Sequence, residues 1–122
     1  MKLIRKAEAD VRIGKTFTGP TTLAEMLFPQ QEGGVKITIV RFEDGAVTHW
    51  HTHPGEQVLY VLEGECRVST ETEEVVAYAG DVVHTPPNEK HWHGAAPGTS
   101  MVHISITTVG SPTWFDAPHI DH

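Results

Sequence analysis

The sequence predicts an all-β fold built from short antiparallel strands. Runs rich in valine, isoleucine and threonine recur at roughly 8–12-residue intervals, a spacing typical of β-sandwiches and barrels. The turns between them draw on eleven glycines and eight prolines. No long segment shows the apolar period of about 3.6 residues that marks an amphipathic helix. The 122 residues suffice for one domain with its own hydrophobic core.

The order of apolar runs and turn residues predicts most of the strands. Leu23–Phe28 fits either one helical turn or a short strand, and Pro29 ends it in both cases. We expect a barrel over about 35–109, an N-terminal strand arm over 1–34 and an irregular tail over 110–122. The other predicted strands are Val11–Phe17, Val35–Phe42, Glu56–Leu62, Glu65–Ser69, Val75–Tyr78, Val82–Thr85, His91–Ala95 and Met101–Val109.

Two pairs of histidines indicate a candidate metal site. His51 and His53 alternate on a strand that ends at a Pro-Gly corner, and Gln57 opens the next strand. His91 and His93 repeat the same spacing. Alternate strand residues point to one face about 6.5–7 Å apart, so two imidazoles can converge on one ion. A single histidine is often a surface or core residue, whereas two such pairs in one small chain favour a metal site.

The spacing around these histidines resembles the two motifs of the cupin family. The first runs Gly45, five residues, His51-x-His53, three residues, Gln57, six residues, Gly64, with glutamine at the usual glutamate position. The second runs Gly80, five residues, Pro86-x-Asn88, two residues, His91, with asparagine where glycine is usual. The resemblance implies a double-stranded β-helix, a small jelly-roll barrel that covers the whole chain as one cupin domain. It also implies the metal ligands His51, His53, Gln57 and His91.

The neutral ligand set bears on the chemistry of the ion. Three imidazoles and an amide oxygen leave the charge of a divalent ion uncompensated, which makes it a stronger Lewis acid than a site with glutamate. Nitrogen and oxygen ligands without thiolate suit Mn, Fe, Co, Ni or Zn, and ligand type does not choose among them.

A narrower resemblance rests on the segment from Trp50 to His103. The runs that carry it are Trp50-His51-Thr52-His53-Pro54, His91-Trp92-His93-Gly94-Ala95-Ala96-Pro97 and Met101-x-His103, together with Gln57. They look like the small bacterial cupins related to the carboxymuconolactone decarboxylase-type cupins, a group that includes manganese-dependent hydroxynitrile lyases. The resemblance implies manganese as the ion, His93 and His103 as proton-handling or substrate-orienting residues, and Thr38 and Val40 on the pocket wall. The chain departs from the group at His49, His84 and Glu56, so the lyase substrate does not transfer.

The roles of the remaining histidines stay open at this point. His93 shares strand parity with His91 and fits a fifth ligand, a general base or a residue that supports the ligands. His103 and Ser105 share one face of their strand, which meets either the metal cavity or solvent. His49 shares the parity of His51 and fits a hydrogen-bonded core histidine.

Composition excludes several classes of partner. The net charge is −7 and no basic cluster is present, which argues against nucleic acid and anionic membrane surfaces. No stretch approaches the ~18 apolar residues of a membrane span, and no apolar segment of signal length follows the N-terminus. The lone Cys66 fits a reducing compartment. We expect a cytoplasmic protein with a small-molecule substrate.

The strand after Gln57 is apolar on both faces. If Gln57 points inward, Leu59 and Val61 do so too. The outward residues are then Val58, Tyr60 and Leu62. A sheet that is apolar on both faces needs a second covering layer. We therefore expect a homodimer.

These observations lead to one main functional hypothesis and two alternatives. The main hypothesis is a metal-dependent enzyme of lyase, isomerase or decarboxylase type, which uses the ion as a Lewis acid on a small oxygenated substrate without redox change. One alternative is an Fe(II)-dependent oxygenase at the same site. The other is a non-catalytic small-molecule-binding module.

Overall fold

The computed structural model describes residues 1–120, so the last two residues of the predicted tail lie outside the described part of the chain. The chain is nearly all-β, as predicted. A short 3-10 helix spans Lys6–Glu8. The strands are β1 (Asp10–Ile13), β2 (Phe17–Thr18), β3 (Thr21–Leu27), β4 (Lys36–Phe42), β5 (Val47–Thr48), β6 (His51–Thr52), β7 (Gln57–Glu63), β8 (Glu65–Thr70), β9 (Glu74–Tyr78), β10 (Val82–Thr85), β11 (His91–Ala95), β12 (Met101–Thr107) and β13 (Thr113–Trp114).

These strands form two antiparallel sheets. The six-stranded sheet has the order β1-β3-β4-β12-β7-β10. The second sheet has the order β13-β6-β11-β5-β2, and β8 pairs with β11 and with β9. Together they form the small jelly-roll barrel that the sequence predicts. Because chain neighbours such as β4 and β5 enter different sheets, residues far apart in sequence face each other across the interior.

The inward faces of the strands enclose an apolar core. Phe42, Leu59, Val61, Cys66 and Met101 are fully buried in one cluster. Partly buried Phe17 packs against Phe42, with ring centroids 5.7 Å apart. Burial of these side chains is the main source of stability that the fold needs before any metal binds.

Strand β7 confirms the predicted division into two faces. Gln57, Leu59 and Val61 are buried, whereas Tyr60 and Leu62 are 40% and 38% exposed. The alternation follows from the two-residue period of a strand. The same strand thus supplies the interior with two aliphatic side chains and one amide.

The segments outside the predicted barrel are more regular than expected. The ambiguous stretch near Leu23 is strand β3, in register with β4 and not a helical turn. The predicted strand Val11–Phe17 is divided: its first part belongs to β1 at the edge of the six-stranded sheet, and Phe17 begins β2 of the second sheet. The tail was predicted to be irregular, but Thr113 and Trp114 pair with β6.

Within residues 1–120, no helix is long and apolar enough to cross a membrane.

Candidate metal centre

Pairing between β6 and β11 brings the two histidine motifs together. His91 is the direct cross-strand partner of His51. Asn88 adopts φ 65°, the left-handed conformation that the second motif usually gives to glycine. Its backbone N–H donates to the His53 carbonyl at 2.8 Å. The corner before β11 is therefore tied to the corner after β6.

Gly94 lets β5 approach β11 beside the site. A Cβ at this position would clash with the Ala46 carbonyl and the Val47 backbone. Close approach also lets the His93 N–H donate to Thr48 Oγ1 at 3.1 Å. The small residue in the second histidine run thus holds the backbone of His93 in place.

Backbone carbonyls orient two of the rings. His51 Nδ1 donates to the His49 carbonyl at 2.9 Å, and His91 Nδ1 donates to the Glu89 carbonyl at 2.8 Å. In each neutral ring this leaves Nε2 as an acceptor that points into the site. His49 thus contributes a carbonyl, and its half-buried side chain does not belong to the cluster.

Gln57 presents its carboxamide oxygen to the same space. Its Nε2 donates to Ser105 Oγ at 2.9 Å, and its Oε1 lies 2.9 Å from His91 Nε2. With His91 Nδ1 bonded to a carbonyl, this contact sets two lone-pair atoms face to face unless the ring is protonated. A cation held between these acceptors would relieve that repulsion, so the donor set fits a metal ion.

Three histidines form a tight group that could hold an ion. One ring nitrogen each from His51, His91 and His93 lies within 4.8 Å of the others, and all three residues are buried. His53 adjoins them, with its ring centroid 4.9 Å from that of His51. Its buried Nε2 has no hydrogen-bond partner among residues 1–120.

The predicted ligand set and this group overlap without being identical. His51 and His91 belong to both. His53 and Gln57 adjoin the group. His93, whose role the sequence left open, is a member of it. The four-ligand assignment remains a prediction, and His93 lies close enough to the other rings to act as a ligand.

Burial keeps these imidazoles neutral. Burial lowers the pKa of His51 to about 2, with the charge of His91 acting in the same direction. Burial and His91 lower the pKa of His53 to about 4, and burial lowers that of His103 to about 4. The pKa of His93 lies well below its ordinary value because of burial and the neighbouring His103. Neutral imidazole is the form that binds metals and accepts protons.

His93, a member of this group, also forms a buried pair with His103. His103 Nε2 lies 3.0 Å from His93 Nδ1, so one proton is shared between them. His93 Nε2 and His103 Nδ1 are buried without a partner among residues 1–120. The face of β12 that carries His103 and Ser105 therefore meets the cavity, which resolves one of the two open interpretations.

Comparison with known proteins identifies the family. Residues 38–108 match the family described as "Cupin domain". The chain belongs to the cupin family.

Two relatives extend this finding. An (R)-mandelonitrile lyase from Granulicella tundricola is 44% identical over 94 residues, which cover 74% of this chain and 70% of the relative. The crystal structure of a cupin-like protein from Thermotoga maritima is 38% identical and superposes with a TM-score of 0.77, covering 86% of this chain and 84% of that one.

A more distant structure shares the fold alone. It is a predicted oxalate decarboxylase, also from Thermotoga maritima, with 20% identity and a TM-score of 0.77. The match covers 89% of this cupin and 100% of that chain.

The predicted pocket residues lie on the inner face of the six-stranded sheet. Thr38 pairs with Ser105, and Val40 pairs with His103. Val40 is part of the apolar core, and Thr38 is buried and donates to Glu25 Oε2 at 2.8 Å. Ser105 Oγ accepts the hydrogen bond from Gln57 Nε2. All three predicted positions therefore lie beside the histidines or their supports.

Three neighbours of the site were missed by sequence reasoning. Trp114 packs against His51 in a tilted arrangement, with ring centroids 4.5 Å apart. Glu25 is buried on β3, and Lys36 lies 3.8 Å from its carboxylate. A glutamate at a core-facing position of an otherwise apolar stretch was the available signal for Glu25. The Trp114 contact has no local signal because it depends on where the tail crosses β6.

Glu56 and His84 lie at the rim. They form an exposed pair at 2.8 Å. These departures from the resembling group therefore do not alter the interior of the site.

Proposed function

We propose that this cupin is a metal-dependent lyase that cleaves a small oxygenated substrate without redox change. The observation that carries the proposal is the buried His93–His103 pair, in which His93 also belongs to the neutral histidine group next to Gln57. A site for an ion and an adjacent proton acceptor are the two parts that such a reaction needs. The relative named as an (R)-mandelonitrile lyase supports cyanohydrins as the first substrates to test.

The ion would be held by His51, His53, Gln57 and His91, and manganese is the ion that the sequence resemblance favours. A bound divalent ion would supply Lewis-acid stabilisation of negative charge developing on a substrate oxygen. The backbone acceptors of His51 and His91 keep both Nε2 atoms aimed at the site. Ser105 keeps the Gln57 oxygen aimed there as well.

His93 is assigned as the general base that accepts the substrate proton. Its Nδ1 is engaged with His103, which leaves Nε2 free for the substrate. For a cyanohydrin, Nε2 takes the hydroxyl proton while the bond to the nitrile carbon breaks. The bonding electrons leave with cyanide and an aldehyde forms. The protonated ring, which burial disfavours, then gives its proton to cyanide as hydrogen cyanide.

The first experiment measures metal and turnover together. Protein purified without chelator should contain a divalent transition metal, and it should cleave mandelonitrile or another cyanohydrin without oxygen uptake. His51→Ala and His91→Ala should each lose most of the metal while circular dichroism still reports a β fold. His84→Ala is the matched control, because this exposed histidine pairs with the exposed Glu56 and does not belong to the histidine group.

Full metal occupancy in both ligand variants would disprove the assigned site. Oxygen uptake by the iron-loaded protein with an organic substrate would replace the lyase proposal with an oxygenase.

A further inference from the structure

Lys36 lies on the inner face of β4 at the less buried end of the barrel interior, here called the open end. It is the cross-strand partner of Thr107, and Thr107 is the partner of Gln57. The three residues therefore form one row on the same face of the sheet. Neighbouring strands are about 4.8 Å apart, so the backbones of Lys36 and Gln57 are separated by roughly 10 Å. A lysine side chain that leans along this row can reach a molecule bound beside Gln57.

The carboxylate nearest to Lys36 is already satisfied by other groups. Arg12 donates to Glu25 Oε1 through Nε at 3.0 Å and Nη2 at 2.7 Å. Thr38 donates to Glu25 Oε2 at 2.8 Å. Lys36 Nζ is 3.8 Å from Oε2, beyond hydrogen-bond distance. Within residues 1–120, the Lys36 ammonium makes no hydrogen bond.

Two cations, Arg12 and Lys36, lie beside Glu25 at this end although the chain is acidic overall. Burial raises the pKa of the Glu25 carboxyl, but the contacts with Thr38, Arg12 and Lys36 together hold it below its ordinary value. The carboxylate is therefore ionised and lies close to both cations, and the other acid in this row is Asp10, the exposed cross-strand partner of Glu25. The side chain of Lys36 is 35% exposed.

We propose that the Lys36 ammonium binds an anionic group of the substrate, and that this group is a carboxylate. The proposal rests on the proposed function and adds that the preferred substrate carries a carboxylate besides the oxygen that the ion would bind, so a neutral cyanohydrin such as mandelonitrile tests the reaction alone. The ammonium carries one positive charge and has the hydroxyl residue Thr107 as its cross-strand neighbour. This matches the single negative charge of a carboxylate. Phosphate sites instead use several convergent donors, such as backbone N–H groups at a loop or helix terminus. Arg12 and Glu25 are the positioning residues that hold this end of the sheet together.

The test compares a carboxylate with a neutral molecule of nearly the same shape. Benzoate and benzamide are titrated into the metal-loaded protein by calorimetry, in the wild type and in Lys36→Met. Benzoate affinity should fall roughly 10-fold or more in the variant, the usual loss for a hydrogen bond to a charged group. Benzamide affinity should not change. Lys36→Arg should keep most of the preference for benzoate.

Arg41→Met is the matched control. It removes a cation from the same strand, but Arg41 lies at an exposed position of opposite parity and its nearest acid is Glu63 at 3.7 Å. Benzoate binding should stay at the wild-type value. Metal content, measured in every sample, should be equal.

Two results would overturn the Lys36 assignment. One is equal affinity of the wild type for benzoate and benzamide, and the other is unchanged benzoate affinity in Lys36→Met. Lys36→Gln replaces the methionine variant if that protein fails to fold. Cyanohydrin cleavage by the wild type alongside either result would mean that only the anion site fails. Loss of benzoate affinity in Lys36→Met without cleavage of any substrate would mean that the anion site stands and the reaction assignment fails.

Discussion

The two ends of the barrel interior are built from the same strands but differ in chemistry. At the closed end, Phe42 of β4 pairs with Met101 of β12, and both are fully buried. At the open end the same two strands pair Lys36 with Thr107. Strand β7 shows the same gradient, from Val61 at the closed end through Leu59 to Gln57. Strand β11 runs from Ala95 through His93 to His91.

The residues that stabilise the fold therefore lie at one end of the interior, and the residues that could carry out chemistry lie at the other. The closed end buries aliphatic and aromatic side chains that stabilise the fold without any ligand. The histidine end buries polar atoms, and three of its ring nitrogens have no partner among residues 1–120: His53 Nε2, His93 Nε2 and His103 Nδ1. Unpartnered buried polar atoms cost stability. Variants at the closed end should therefore change the free energy of unfolding, whereas variants at the histidine end should change turnover or metal content.

The largest expected effect is the loss of the His93 side chain. His93→Ala should lower turnover by about 10²–10⁴-fold, the usual contribution of a positioned general base. His103→Ala should reduce turnover less, because His103 acts by orienting His93. Steady-state kinetics and metal content measured on the same samples would check both variants.

Metal content decides the alternative role of His93. It should stay near the wild-type value in both alanine variants. If His93→Ala strips the ion, His93 is a ligand and the proton passes to His103. Full activity in both variants would disprove the assignment of the proton transfer to this histidine pair.

A variant at the closed end should have the opposite signature. Leu59→Ala removes a fully buried leucine from the core cluster. The free energy of unfolding should fall by about 2–5 kcal/mol, while the metal content of the folded protein stays unchanged. Urea denaturation and metal analysis would measure the two quantities. Loss of metal with unchanged stability would show that the two ends are not separable in this way.

The pH dependence of stability should come from the histidine end. In metal-free protein, burial lowers the pKa of His53 and His103 to about 4, against about 6.5 in an unfolded chain. Between these values the unfolded state binds more protons. The free energy of unfolding should therefore be fully retained above about pH 6.5 and should fall as the pH drops towards 4, by up to about 1.4 kcal/mol per pH unit for each histidine.

Urea denaturation of metal-free protein at several pH values would test this. His103→Leu should flatten the profile, and the exposed rim variant His84→Ala should not. A wild-type stability that is constant from pH 7 to 4 would contradict the assignment.

The smallest effect on the site should come from the outer face of the six-stranded sheet. One row of apolar residues crosses all six strands in register: Val11, Ala24, Ile39, Ile104, Tyr60 and Val82. We propose that a second copy of the chain covers this row as a homodimer. Tyr60→Arg should lower the molar mass by half in light scattering while leaving metal content unchanged. Tyr78→Arg, an exposed aromatic of the other sheet, is the control. A monomeric wild type would disprove the interface.

Much of the fold and part of the candidate site were predictable because their signals are local. Alternation along β7 identifies Gln57, Leu59 and Val61 as inward residues without knowledge of their partners. The spacing of His51 and His53 predicts two rings on one face, and the motif spacing predicts that His91 meets them. These signals depend on the two-residue strand period and on short turns.

Only the tertiary structure decided which of the remaining side chains meet. His103 contacts His93 because β12 and β11 lie in opposite sheets that close over one interior. Glu25 and Lys36 come together through the register of β3 and β4, and Trp114 reaches His51 through the pairing of the tail with β6. The face of the sheet to which a side chain points is set within its own strand. Its neighbours across the cavity are set by pairing between strands that are distant in the sequence, which no local pattern specifies.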